Sequence, residues 1–157
     1  MRFDFMTCRM LYTDLYSDME LVHDALYAFN IKRTGREFDA SVKAKKVDRA
    51  EALILYGNEN DEFLGGIVWH WLEEHGKIFV DYMFVSDSLR GQGWGSRLFA
   101  EFEKLVKAKG ATEIGVTTNT FQAPDFYLKI GYEKNGEKAN PQPLVPDNIH
   151  YHYSKKL

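Results

Sequence analysis

A glycine-rich segment between an apolar strand and an amphipathic helix limits most strongly how this chain can fold. It runs from Arg90 to Gly95, reads Arg-Gly-Gln-Gly-Trp-Gly, and follows an apolar stretch that ends at Val85. Glycines at alternate positions allow a tight turn and keep side chains away from a ligand. The unpaired N–H groups and the positive dipole end of the following helix form a site for anions. The segment therefore predicts a strand–turn–helix unit that binds a phosphate or pyrophosphate.

The rest of the pattern places this unit in a mixed sheet. The 157 residues fit one domain, residues 1–157, with one core. In chain order the sequence predicts a strand over 2–6, a helix over 18–29 with a capping box at Ser17 and Glu20, a loop or short helix over 30–48, strands over 51–56, 63–72 and 77–85, a helix that ends at Gly110, a strand over 113–118, a helix over 123–130, and an antiparallel pair over 132–135 and 149–154. Three hairpin-linked strands followed by a strand–helix–strand crossover imply helices on the faces of a mixed sheet.

The glycine-rich segment does not match the common nucleotide motifs. No Gly-Lys-Ser/Thr follows it, as a P-loop requires, and Ser96 stands where the dinucleotide fingerprint needs a third glycine. A second segment, Ala123 to Tyr132, reads Ala-Pro-Asp-Phe-Tyr-Leu-Lys-Ile-Gly-Tyr. Together the two segments resemble the GCN5-related N-acetyltransferase (GNAT) superfamily, with its (Gln/Arg)-x-x-Gly-x-(Gly/Ala) and Ala-x-x-Phe-Tyr-x-Lys-x-Gly-(Phe/Tyr) motifs. The close resemblance covers residues 77–135.

This resemblance implies an α/β fold of the mixed α+β kind. Its central sheet is mixed and mostly antiparallel, with flanking helices, and the parallel strands 77–85 and 113–118 splay apart. The family's co-substrate is acetyl-CoA, with no metal, and its pantetheine arm is expected in the cleft between the splayed strands. The implied cofactor-binding residues are Met83, Phe84, Val85, Arg90, Gly91, Gln92, Gly93, Trp94, Gly95, Ser96 and Thr120. Thr120 stands where many relatives have a cofactor-contacting asparagine, and Asn119 is displaced from that position by one.

Two residues are candidates for the chemistry of acetyl transfer. Tyr127 matches the family's general-acid tyrosine, which protonates the leaving thiolate. Asp81 is the candidate base, because it shares strand parity with Met83 and Val85 and because a carboxylate in an apolar strand is costly unless it is used or paired. A structural ion pair for Asp81, or a water chain as the base, are the alternatives. His70, between Trp69 and Trp71, is interpreted as a packed or surface residue.

The predicted function is an N-acetyltransferase (an acyltransferase) that transfers an acetyl group from acetyl-CoA to a primary amine of a small molecule by direct attack on the thioester. The alternatives are acetylation of a protein lysine or N-terminus and a non-catalytic CoA-binding sensor. The acceptor site is expected from residues 20–48, the turn around Glu73, and residues 136–148.

Composition limits the classes of partner that we expect for this chain. The net charge is -3, no basic patch favours nucleic acid, and no stretch is long and apolar enough for a membrane span. Cys8 is the only cysteine, so an intramolecular disulfide and a cysteine zinc site are excluded. A single cysteine suits a cytoplasmic protein, and a homodimer is compatible by analogy with the family.

Overall fold

The computed structural model describes residues 8–35, 47–122 and 124–157. Its elements are β1 (Cys8–Thr13), α1 (Tyr16–Thr34), β2 (Ala50–Gly57), β3 (Phe63–Trp71), β4 (Lys77–Val85), a 3-10 turn (Asp87–Leu89), α2 (Trp94–Ala108), β5 (Glu113–Asn119), a second 3-10 turn (Thr120–Gln122), α3 (Asp125–Lys129), β6 (Glu133–Ala139) and β7 (Ile149–Lys156). The strand predicted over 2–6 lies outside the described residues, and the sequence pattern missed β1. None of the helices within the described ranges is long and apolar enough to cross a membrane.

The seven strands form one sheet in the order β1-β2-β3-β4-β5-β7-β6. Neighbouring strands run antiparallel except β4 and β5, which are parallel. The parallel pairing is short: it begins at Lys77↔Glu113 and ends at Val80↔Val116. Beyond this point β4 continues beside β3, while β5 continues beside β7. The predicted mixed sheet with a splayed parallel pair is therefore confirmed.

The two faces of the sheet carry separate cores. On one face α2 buries apolar side chains at helical spacing, among them Leu98, Phe99 and Phe102, against the central strands. On the other face α1 buries Met19 and Val22 against residues of β2 and β3. The glycine-rich turn thus leads from the central strand β4 into a helix that is fixed by its buried face. This fixation sets the position of the α2 N-terminus.

A β-bulge interrupts β4 at Asp81. Val68 is paired with Tyr82, while the next residue of β3, Trp69, is paired with Val80. Asp81 is therefore the extra residue of β4, and such a residue lies outside the regular hydrogen-bond ladder. A bulge shifts the alternation of side chains by one position, so residues before and after it no longer follow a common parity.

This bulge overturns the predicted placement of Asp81 with Met83 and Val85. Both of those residues pack against the core beneath α2. Asp81 instead contacts His70, whose chain neighbour Trp69 is buried in the α2-side core. Because successive strand residues point to opposite faces, His70 and Asp81 lie on the face that α1 covers. The parity argument was wrong because it assumed a regular strand.

The start of α1 also differs from the prediction. The helix begins at Tyr16 with Leu15 as N-cap, so Ser17 lies inside the helix and the predicted capping box is absent. Thr13 holds this end of the helix instead: its hydroxyl accepts a hydrogen bond from the Leu15 N–H at 3.1 Å and donates to Asp18 Oδ2 at 2.7 Å. The helix continues beyond the predicted range to Thr34.

Candidate active site

A cleft of about 820 Å³ opens where β4 and β5 separate. Its lining comes from β4, the glycine-rich turn, the start of α2, the end of β5, α3 and α1. The structure brings together Asp81, Met83, Phe84, Val85, Arg90, Gly91, Gly93, Trp94, Gly95, Ser96 and Tyr127 in this lining. Gln92 and Thr120 are the predicted site residues that do not line the cleft. The splay of the sheet is thus the structural event that creates the candidate site.

The three glycines of the turn serve different purposes. Gly91 and Gly93 have φ angles of 75° and 77°, a backbone region that favours glycine, and a Cβ at either position would meet no atom within 4 Å. Gly93 is the N-cap of α2 and carries no capping side chain. A Cβ at Gly95, by contrast, would lie 3.4 Å from the ring of Phe126 and 3.5 Å from the methyl of Met83. The turn therefore leaves an open surface at the start of α2, which suits an anion.

Two predicted cofactor contacts are used elsewhere in the protein. The Gln92 amide donates to the carbonyl of Ser88 at 3.1 Å. The Thr120 hydroxyl accepts a hydrogen bond from the Ile149 N–H at 3.0 Å, and it is exposed outside the cleft. Gln92 lies at a turn, where the nearby Ser88 carbonyl is available to its side chain. Thr120 instead accepts its hydrogen bond from the first residue of β7, which is distant in the sequence. Both residues lie outside the lining of the cleft, and their role in cofactor binding stays a prediction.

Asn119 lines the cleft in place of Thr120, but its amide is already engaged. Its Nδ2 donates to Gln122 Oε1 at 3.0 Å, and its Oδ1 accepts from Asn148 Nδ2 at 3.1 Å. Gln122 in turn donates to Asn30 Oδ1 on α1 at 2.9 Å. This chain of amides links the end of β5 to α1 at the cleft, and sequence spacing gave no signal for it.

Tyr127 lies in an aromatic cluster at the cleft. Its ring stacks on Tyr153 at 5.6 Å between centroids and meets Phe99 edge-on at 5.6 Å. Burial, together with the neighbouring Tyr153, raises the pKa of Tyr127 well above its ordinary value. No hydrogen bond joins its hydroxyl to another residue of the described ranges. The phenol therefore keeps its proton at neutral pH, and its hydroxyl is available to a ligand in the cleft.

Asp81 forms a close pair with His70 that the sequence did not predict. His70 Nδ1 lies 2.8 Å from Asp81 Oδ2, and the two side chains are 19% and 17% exposed. Burial raises the pKa of Asp81, while the hydrogen bond and the charge of His70 act in the opposite direction. The sequence pattern gives no signal for this role of His70, because the contact depends on the bulge and on the pairing of β3 with β4.

One side of the cleft is formed by α1. Leu26, Phe29 and Arg33 line it, and they fall at the i, i+3 and i+7 positions of one helix face. The loop between β6 and β7 reaches the end of this helix, where the Leu144 N–H donates to the Thr34 carbonyl at 3.0 Å. Of the segments expected to form the acceptor site, residues 20–48 contribute these three side chains to the cleft, whereas the turn around Glu73 and residues 136–148 are not in its lining. Residues 36–46 of the first segment lie outside the described residues.

No group of three metal-binding side chains is found in the parts of the chain that the structure describes. His150 and His152 lie close together on β7, with ring centroids 5.2 Å apart.

The sequence and the fold both match known acetyltransferases. A sequence model of the acetyltransferase (GNAT) family matches residues 11–132. A blasticidin-S acetyltransferase of Streptomyces morookaense is 39% identical over 96 residues, which span 58% of this chain and 66%, just under two thirds, of that relative. An acetyltransferase of Agrobacterium fabrum strain C58 is 27% identical over 115 residues, 73% of this chain and 75% of the relative. The solved structure of a Bacillus subtilis acetyltransferase in complex with CoA has the same fold, with a TM-score of 0.64, 15% identity, and coverage of 96% of this chain and 99% of the other.

Proposed function

The chain belongs to the acetyltransferase (GNAT) family, and from this premise we propose that it transfers the acetyl group of acetyl-CoA to a primary amine of a small molecule. One observation carries the proposal. The gap between β4 and β5 brings the open start of α2, the buried phenol of Tyr127 and the carboxylate of Asp81 to a single cleft. An anion site, a proton donor and a proton acceptor are the groups that this reaction requires.

The cleft fits the thioester co-substrate in two respects. The turn at Gly91 and Gly93 has room for a ligand above its backbone, at the N-terminal end of a helix, which suits the pyrophosphate. Among the strands that the structure describes, none pairs with β4 beyond Val80 on the side of β5, so this backbone can hydrogen-bond an extended arm. When bound, acetyl-CoA supplies an activated carbonyl whose leaving group is a thiolate.

The two catalytic candidates approach the gap from opposite faces of the sheet. Tyr127 belongs to the core beneath α2, whereas Asp81 lies with His70 on the face that α1 covers. In our proposal Asp81 accepts a proton from the amine on one side, and Tyr127 donates its proton to the departing sulfur on the other. This arrangement suits direct attack, because the nucleophile and the leaving group do not compete for one proton carrier.

The position of the Asp81 carboxylate supports an amine acceptor. Of the described residues that line the cleft, Asp81 is the only one with a carboxylate, whereas Arg33, Arg90 and Lys129 are cationic. An amine that reaches the gap therefore meets one negative group there, and that group lies where deprotonation is needed. The name of the Streptomyces relative, a blasticidin-S acetyltransferase, supports a small molecule as the acceptor.

The test is thiol release from acetyl-CoA against a panel of amines that includes nucleoside and aminoglycoside antibiotics, polyamines and a lysine peptide, with the acetylated product identified by mass spectrometry. Turnover with a small amine supports the proposal. Turnover with the peptide alone favours the protein-acetylating alternative. CoA binding by calorimetry without turnover on any amine would instead indicate a sensor.

The role of Asp81 is tested by the pH dependence of kcat/KM. Because burial raises the pKa of this carboxyl, activity is expected to fall with decreasing pH at a higher pH than for an ordinary aspartate. His70→Gln removes an interaction that lowers the pKa of Asp81, so it should move this acid limb to still higher pH. Asp81→Asn should lower kcat/KM by about 100-fold or more. If Asp81→Asn leaves the pH–rate profile unchanged, a water chain is the base instead.

A further inference from the structure

Two guanidinium groups contact the ring of Phe29 at the cleft. The guanidinium carbon of Arg33 lies 5.2 Å from the centre of the Phe29 ring, and that of Arg90 lies 5.0 Å from it. All three residues line the cleft, but they come from different parts of the fold: Phe29 and Arg33 from α1, and Arg90 from the glycine-rich turn. The two cationic groups are thus no further apart than the sum of these two distances.

We propose that Arg33 is a second phosphate-binding residue for CoA, which acts with Arg90 and with the turn at Gly91 and Gly93. This inference rests on the proposed function, because it takes CoA to be the ligand of the cleft. Arg33 lies outside both sequence motifs. It is the three-dimensional approach of α1 to the turn that brings it to the anion site.

The charges around Phe29 favour an anionic ligand. Arg90 Nε lies 2.6 Å from Asp87 Oδ1, so part of its charge is balanced by a carboxylate that is itself largely exposed. Within the described ranges, no carboxylate lies within ion-pair distance of Arg33. Two guanidinium groups held near each other repel unless an anion lies between or beside them. A phosphate of CoA is such an anion, and it can accept two parallel hydrogen bonds from one guanidinium.

The surroundings of Arg33 restrict its position near the proposed phosphate site. A cation–π contact with an aromatic ring restricts a guanidinium, so less freedom is lost when it binds. The helix that carries Arg33 is tied to the cleft by the bond from Gln122 to Asn30 Oδ1 and by the Leu144 N–H bond to the Thr34 carbonyl. Arg33 therefore approaches the turn from a fixed element.

The experiment measures binding of CoA and of 3′-dephospho-CoA by calorimetry, with no acceptor present. Arg33→Gln should weaken binding of CoA by about tenfold or more, the loss expected when a charge-assisted hydrogen bond is removed. Arg33→Lys keeps the charge but not the planar group, so its loss should be smaller. Equal losses with both ligands place Arg33 at the diphosphate, and a loss with CoA alone places it at the 3′-phosphate. Either result supports the inference.

Lys32→Gln is the matched control. Lys32 is the neighbouring exposed cation in the last turn of α1 and does not line the cleft, so this change alters net charge and helix-end electrostatics in the same way. Its CoA affinity should stay within twofold of the unchanged protein. If Arg33→Gln behaves like Lys32→Gln, or if it raises only the KM of the acceptor, the inference is overturned. If the unchanged protein itself binds no CoA, the proposed function fails first.

Discussion

Tyr127 and Tyr132 offer a paired test of which tyrosine works in catalysis and which in stability. Their rings belong to one cluster, with centroids 5.9 Å apart, and both are buried. Their hydroxyl groups differ. Tyr132 donates to Glu103 Oε2 at 3.0 Å, whereas the Tyr127 hydroxyl has no hydrogen bond to another residue of the described ranges. Replacing each by phenylalanine keeps the ring and removes only the hydroxyl, so the two effects separate.

The structure gives the expected magnitudes. Tyr127→Phe removes no hydrogen bond to another described residue, and its hydroxyl is open to the cleft, so the free energy of unfolding should stay within about 1 kcal/mol of that of the unchanged protein. Tyr132→Phe removes a hydrogen bond to a carboxylate that keeps Lys155 as a second partner at 2.8 Å. We expect it to lower the free energy of unfolding by about 1–2 kcal/mol, which corresponds to a fall in Tm of about 2–8 °C.

The effects on kcat should be in the opposite order to the effects on stability. A positioned general acid contributes about 100-fold or more to the rate, so Tyr127→Phe should lower kcat by at least that factor at saturating acetyl-CoA. Tyr132→Phe should leave kcat within about twofold of the unchanged protein at a temperature where it is folded. The assays are thiol release for kcat, and urea unfolding followed by circular dichroism for stability. Unchanged turnover in Tyr127→Phe, or a parallel loss of kcat and stability in both variants, would refute the assignment.

Two further predictions concern the fold and the turn. Two effects act on the pKa of Glu51. Burial raises it, but the hydrogen bonds that the carboxylate accepts lower it more, so the pKa lies below its ordinary value. The chief donor is Lys109 at 2.6 Å, and Trp71 also donates at 2.6 Å. Glu51→Leu should lower the free energy of unfolding, measured by urea at neutral pH, by about 1–3 kcal/mol, because the indole N–H groups of Trp69 and Trp71 lose their acceptor. This loss should shrink as pH falls below the unfolded pKa of about 4.3, because the ionised carboxylate supplies the stability. Gly93→Ala should lower the free energy of unfolding by about 1–2 kcal/mol, because residue 93 has a positive φ angle, and it should also weaken CoA binding in calorimetry. Gly136→Ala is the control: a Cβ there would meet no atom within 4 Å, and Gly136 does not line the cleft, so CoA binding should be unchanged.

The sequence pattern predicted those elements whose own residues are typical of a turn, a helix or a strand. The glycine-rich turn, the amphipathic helix after it and the strand before it lie where the sequence predicts them, because turn chemistry and hydrophobic period are properties of neighbouring residues. The pattern of α1 is weaker than that of α2: the apolar Leu21 is exposed, while His23 is buried. The face of α1 is divided between the core and the cleft, and a division of this kind leaves no single period to detect.

The sequence by itself determined the family, the mixed sheet and the glycine-rich turn, since motifs and periodicity act over short stretches of chain. Tertiary structure decided which groups meet in the cleft. The bulge at Asp81 exists only in the register between β3 and β4, and it moved this carboxylate to the other face of the sheet and beside His70. The approach of Arg33 to Arg90 likewise follows from the packing of α1. Contacts between distant segments depend on register and packing, which no local pattern encodes.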